Sequence, residues 1–352
     1  MLYRFDTQAG LSMAPLDTIP LENEYDFTPA GAPDTGGASN GAHTATFYAF
    51  NTVVTLQAWD AEGVHPEAGS ELARSAFKAA LADCRTFERL FSRTLSHSDI
   101  SRLNAAQGAW TPIADATFDL LGESIRYCRE SHGTFDITIG AATRLWDFHR
   151  SVIPDPAELA EALHHVDFRM IELTGEAGLR MARLADPAGA VDVGGTAKGF
   201  IADALRERLF ACGLRHFLIN LGGNVMVCGG KPDGSPFRVG IKDPKNPSAI
   251  LGAIPITDGS VVTSGLYERA FERDGVRFSH ILSSETGFPI ATDAESVTVV
   301  AARSADCDGY STTLCALGID EGLAFARTHP ELASVIFVDA DNKLHMQSAC
   351  SA

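Results

Sequence analysis

A carboxylate and two hydroxyls stand close together in Asp306-Cys-Asp308-Gly-Tyr-Ser311-Thr312-Thr-Leu-Cys-Ala-Leu-Gly318. On a helix, Asp308 and Thr312 lie one turn apart on a shared face, with Ser311 beside them. Hard oxygen donors of this kind suit Mg²⁺, which keeps waters and substrate phosphates as its other ligands. On this segment alone, Asp308 reads first as the N-cap of a helix over 308–317, with Ser311 closing the cap. His280 ends an alternating stretch, Val276 to Leu282. A histidine there is either a general base or a hydrogen-bonded structural residue.

A second set surrounds Val191-Asp192-Val-Gly-Gly195-Thr-Ala-Lys198-Gly-Phe200. The apolar run Ala188–Val193 predicts a short buried strand. Ile201, Leu205, Leu209 and Cys212 then fall on one face of a helix, and Gly213 stops it. A strand entering a helix through glycines offers an anion bare backbone and free N–H groups, and Lys198 adds a positive charge. The segment is neither GxGxxG nor a Walker loop. By itself it reads equally well as a Gly-rich turn with a surface lysine.

Composition narrows the function. The chain has 352 residues, a net charge of −17 and a pI of about 5.0. That balance argues against nucleic acid and against an anionic membrane surface. A bound polyphosphate would need a metal, a lysine or a helix N-terminus. Seven cysteines without a CxxC pair read as reduced thiols. No export signal and no run of ~18 apolar residues is found, so no membrane insertion and a cytoplasmic location are expected.

The elements that must position these residues follow from periodicity. Residues 1–42 read as a linker-like N-terminal extension, 43–345 as one domain and 346–352 as a C-terminal tail. One strand over 43–60, or two broken at Phe50-Asn51, is expected, with others at Gly133–Gly140 and along 216–220, 224–229, 237–244, 249–256, 261–265, 276–282, 296–301 and 333–339, the last closing the sheet. Helices are expected at 71–91 and 116–132, with a short one capped by Ser98 and a hairpin at Leu173–Gly178. Hairpins with interspersed helices predict an α+β fold with largely antiparallel sheets.

Six segments then resemble, in order, the ApbE-type family of FAD:protein FMN transferases. They are Ser92…Ser98-Asp-Ile-Ser-Arg-Leu-Asn104; Gly133-Thr134-Phe135-Asp136-Ile-Thr138…Leu145-Trp146; Asp192-Val-Gly-Gly-Thr-Ala-Lys198-Gly; Leu221-Gly-Gly-Asn224; Thr263-Ser-Gly265…His280-Ile-Leu282…Thr286-Gly287; and Asp308…Ser311-Thr312. The resemblance covers roughly residues 45–340. It implies a T-fold-like core and a Mg²⁺-dependent enzyme with FAD as substrate. Such an enzyme moves the FMN half onto a threonine hydroxyl of an acceptor protein and releases AMP. The acceptor threonine sits in an Asp-x-x-Thr-x-x-Thr-like segment.

By position, the resemblance assigns the metal to Asp308, Thr312, the Ser311 region and the Gly195 carbonyl. It assigns FAD to Phe50, Thr94, Thr134, Phe135, Asp136, Asp192, Lys198 and Leu282, and the base to His280. Four positions depart from the family pattern. Phe50-Asn51-Thr52 replaces Met-Gly-Thr, Thr94 replaces a tyrosine, Gly194 replaces a serine, and Ser283-Ser284 replaces Asp-Pro. Two other outcomes use the same residues: a Mg²⁺-dependent FAD pyrophosphatase giving FMN and AMP, and a non-catalytic FAD carrier.

Overall fold

The computed structural model describes residues 26–28, 41–60 and 65–348. Most of the linker-like stretch, Cys350 and the last residues lie outside them. A nine-stranded sheet forms the centre. Its order is Asp26–Thr28, Ala42–Ala49, Thr52–Trp59, His216–Leu221, Asn224–Cys228, Gly259–Gly265, Ala294–Ala301, Leu332–Asp339 and Leu344–Ser348. Every neighbouring pair is antiparallel. The final strand pairs Leu344–Val338 through Ser348–Ser334, so Ala333–Asp339 does not close the sheet as expected.

Alternation assigns the two faces. Phe217, Ile219 and Leu221 point to one side and are fully buried under the helices Pro66–Phe91, Ala197–Ala211 and Ser304–Arg327. Val227, Val261 and Ile336 point to the other side, where the hairpin Phe237–Asp243/Asn246–Ile256 covers them. Each buried Leu or Ile contributes about 2 kcal/mol by leaving water. The helix Ala197–Ala211 buries Ile201, Ala202, Leu205 and Leu209 as its spacing predicts, and stops at Gly213 with φ +105°.

Phe50 and Asn51 form the two-residue turn between Ala49 and Thr52, both with positive φ (53° and 56°). A primed hairpin turn demands that geometry, and asparagine tolerates it where the family has glycine. Gly222 and Gly223 (φ +61° and +99°) make the next turn at the same end of the sheet. A Cβ on Gly222 would meet Thr52 Oγ1 at 2.1 Å, so the two turns pack back to back.

Two expected strands are absent. Gly133–Gly140 is a run of turns, because Asp136 organises it with side-chain bonds rather than a ladder. Its Oδ1 accepts from Thr138 N (2.8 Å) and Thr138 Oγ1 (2.6 Å), and its Oδ2 accepts from Phe168 N (2.9 Å). Local side-chain bonding here outcompetes strand pairing. Ala188–Val193 is extended but joins no sheet beyond a single bridge, Ile139 to Ala190. The Asn104 amide takes the place of a partner strand: Oδ1 accepts from Val191 N (2.7 Å) and Nδ2 donates to Val191 O (2.9 Å).

Candidate active site

Two helix starts meet at the cleft. Gly199, in the first turn of the Ala197 helix, faces the first turns of the Ser304 helix. A Cβ there would lie 2.4 Å from Ser304 O and 2.7 Å from Asp308 Cβ. Only glycine lets the helices approach so closely. The Ser304 helix begins a full turn before Asp308, so Asp308 is not its N-cap. Asp203 performs that task from the neighbouring helix, accepting from Ser304 N (2.8 Å) and Ala305 N (3.0 Å). Loss of water raises the Asp203 carboxyl to about 6, against the pull of those two N–H groups.

Freed from capping, Asp308 turns into the cleft. It is buried, and Oδ2 accepts from Gly199 N at 2.9 Å. In a regular helix Gly199 N would bond Gly195 O four residues back. Here the helix starts one residue too late for that: Thr196 is the N-cap, so the Gly195 carbonyl lies outside the helix ladder and Gly199 N is free for Asp308. Lys198 Nζ stands 3.6 Å from Asp308 Oδ1 and 3.5 Å from Gly194 O. Burial raises the Asp308 pKa and Lys198 opposes the rise. A Cβ on Gly195 would sit 2.9 Å from the Phe135 ring and 3.6 Å from Thr312 Oγ1, so both groups crowd the glycine.

The cleft is lined by Gly195, Lys198, His280, Asp308 and Thr312, among others. Five residues expected from three separate segments thus converge. His280 Nδ1 is buried with no hydrogen-bond partner. Dehydration, helped by Arg269 and Lys198, lowers its pKa to about 4. The imidazole is therefore neutral at pH 7 and free to take a proton.

The remaining expected residues surround the cleft rather than line it. Ser311 Oγ is occupied, donating to Asp308 O (2.9 Å) and accepting from Ser264 Oγ (2.8 Å). Asp192 Oδ1 accepts from Gly194 N (2.9 Å), and its Oδ2 lies 3.4 Å from Arg93 Nε. Thr94, next to Arg93, is exposed and bonds Ser92 Oγ at 3.1 Å. Phe50 packs half-buried on the core, and its N donates to Glu88. Asp136 has its acceptors filled within the protein, as described above. Leu282 is buried and bridged to Pro289. Thr134 O receives Ser284 Oγ at 3.4 Å, and Gly133 O receives it at 2.6 Å.

Ser283 holds the turn after Leu282 with its hydroxyl. Its Oγ accepts from Glu285 N and Thr286 N, both at 3.2 Å. Sequence reasoning gave no role to Asn224, Thr263 or Glu268, which also line the cleft. Asn224 at least sat in a quoted segment; Glu268 lies in a stretch with no distinguishing spacing. Among the described residues, one other group, Glu130, His329 and Glu331, offers metal-type ligands. Tyr310 Oη already lies within hydrogen-bond distance of both its carboxylates, and Arg126 pairs with Glu130.

Mixed helices on a central antiparallel sheet, with an acid–lysine–histidine cleft where two helices begin, are the frame and the site of this chain. The sequence matches the ApbE family over residues 50–337, and the chain belongs to that family. A Treponema pallidum protein called FAD:protein FMN transferase is 35% identical over 275 residues, spanning 73% of this chain and 75% of its own. A Klebsiella pneumoniae protein of the same name is 32% identical over 270 residues, covering 75% and 82%. The crystal structure of the ApbE protein of Thermotoga maritima superimposes with a TM-score of 0.77 at 25% identity, covering 86% of this chain and 96% of that one. The apo flavinyl transferase ApbE of Pseudomonas stutzeri gives 0.74 at 26% identity, covering 88% and 95%.

Proposed function

We propose that this protein transfers the FMN moiety of FAD to a threonine hydroxyl of an acceptor protein, forming a phosphoester and releasing AMP. The observation that carries the reading is the convergence of Lys198, His280, Asp308, Thr312 and Gly195 on one cleft. In the proposed step, the threonine oxygen bonds to the FMN phosphorus as the bond from that phosphorus to the AMP oxygen breaks. His280 takes the hydroxyl proton, and AMP leaves as the anion. A threonine hydroxyl is a weak nucleophile, so the base matters. Lys198 stands where its charge would meet the pyrophosphate.

The donor set fits a hard cation: a buried carboxylate, a hydroxyl and a carbonyl left out of its helix ladder. Asp308, Thr312 and Gly195 O would hold Mg²⁺, with Ser311 fixing the Asp308 turn. When bound, the ion would draw off the charge that builds on the pyrophosphate. Phe50, Phe135 and Leu282 offer apolar surface for the flavin, and Thr94, Thr134 and Asp192 offer polar contacts beside it. We infer an acceptor with an Asp-x-x-Thr-x-x-Thr-like segment.

A cytoplasmic acceptor suits the free cysteines, six of which lie among the described residues. Recovery of the native protein outside the cytoplasm would overturn that location. No helix among the described residues is long and apolar enough to cross a membrane.

AMP release measured with and without acceptor tests the reaction. Release that depends on acceptor, one AMP per modified threonine, supports transfer. Equal release without acceptor would make the protein a pyrophosphatase, and FAD bound but unchanged would make it a carrier.

The histidine sets a pH expectation. With a pKa near 4 in place of the ordinary 6.5, His280 stays a competent base well below neutrality. The acid limb of kcat/KM for FAD is expected between about pH 4 and 5, read from a rate profile over pH 4–9. A limb at 6.5 would show that His280 is not dehydrated during the reaction, and no acid limb at all between pH 4 and 7 in wild type with full activity in His280→Ala would contradict His280 as the base. Because the folded pKa is depressed, its contribution to stability is present above 6.5 and is lost as pH falls toward 4.

A further inference from the structure

Asn224 opens its strand directly after the Gly222–Gly223 turn and is only 2% exposed. Its Oδ1 accepts from Ser304 Oγ at 2.7 Å, and Ser304 Oγ lies 2.9 Å from the Ser260 hydroxyl that donates to it. The amide is thereby held by the first residue of the Asp308-bearing helix. Its other end, Nδ2, is buried and has no hydrogen-bond partner. The residue lines the cleft beside Lys198, Asp308 and His280.

A primary amide nitrogen carries two N–H donors and accepts nothing. Left buried without a partner, it costs the whole of its desolvation. The compensating acceptor must therefore come with whatever fills the cleft. Lys198 is also donor-only. Two donor-only groups facing one space, near a helix N-terminus, select an anionic oxygen.

We propose that Asn224 Nδ2 binds a non-bridging phosphate oxygen of the FAD pyrophosphate, holding the reacting phosphoryl group between Lys198 and His280. This rests on the reading of the cleft as a site for a phosphoanhydride. The donor is neutral, and Ser304 fixes its direction. Its bond to the phosphoryl oxygen strengthens as charge develops there in transfer, with no reorganisation needed.

Asn224→Asp tests it. The variant keeps the side chain's size and the oxygen that receives Ser304, and exchanges the donor for a carboxylate oxygen. FAD binding, followed by flavin fluorescence in MgCl₂, is expected to weaken tenfold or more, and FMN transfer to fall on the order of 10²-fold. The buried carboxylate is expected to lower the thermal midpoint without FAD by a few degrees, so binding is compared at a temperature where both proteins are fully folded. Ser304→Ala, which only frees the amide to turn, should show a smaller loss of the same kind.

Unchanged FAD binding in Asn224→Asp overturns the proposal. So does tighter Mg²⁺-dependent binding, which would mean that the amide oxygen faces the cleft. A fall in the midpoint that accounts for the lost binding would reduce Asn224 to a structural residue. A wild-type protein that binds FAD but transfers no FMN would sink the transferase reading alone, because the binding comparison still decides Asn224. A wild type that binds no FAD would sink both.

Discussion

Asp308→Asn is expected to cut FMN transfer by on the order of 10³-fold while leaving the metal-free protein at least as stable as wild type. The first effect follows from losing the only carboxylate among Asp308, Thr312 and Gly195 O, a loss of about 4 kcal/mol of transition-state stabilisation. The second follows from burial. Charging Asp308 costs stability, since dehydration raises its pKa and Lys198 only partly offsets that. A carboxyl with a raised folded pKa gives stability below its unfolded pKa that is lost as pH rises through the folded one. The neutral amide avoids that loss and can still accept from Gly199 N. Steady-state rates with and without MgCl₂, set beside chemical denaturation of the metal-free protein, check both halves. A variant that loses activity and stability together would show that Asp308 serves the fold and not the reaction.

Gly199→Ala should damage the fold and the site at once. The new methyl would overlap Ser304 O and Asp308 Cβ, so the two helices must separate. Overpacking of this kind costs about 3 kcal/mol. The same movement pulls Asp308 away from Gly199 N and loosens the cleft. Gly122→Ala is the control: it is an exposed helical position with nothing within 4 Å of the added carbon. It is expected to stabilise by about 0.5–1 kcal/mol. Urea denaturation of the two variants reads the contrast, and two equal values would remove the steric account of the helix contact.

Elements with a strong internal period were legible in the sequence. The helix carrying Ile201, Leu205 and Leu209, the hairpin at Leu173–Gly178, and the strands flanking Gly222–Gly223 all form where spacing predicts. The helix expected at 308–317 starts earlier, at Ser304, and runs on to Arg327, interrupted at Gly318 (φ +76°). The failures share a cause. At Ala188–Val193 and Gly133–Gly140 the backbone is satisfied by the side chains of Asn104 and Asp136, and period carries no trace of that. Asp308 looked like a cap because local spacing cannot reveal that Asp203, on another helix, already caps that end. Freed of that duty, the carboxylate becomes available to the cleft. The family segments located Lys198, His280, Asp308 and Thr312, but only coordinates show that Asn224 keeps an unpaired donor there.

The account is tested most directly by the intact mass of an acceptor domain carrying an Asp-x-x-Thr-x-x-Thr segment, after incubation with this protein, FAD and MgCl₂. The account predicts a gain of one FMN on a threonine, abolished by EDTA and by His280→Ala. An unmodified acceptor in the presence of released FMN and AMP, or a gain that persists without metal and without His280, would contradict it.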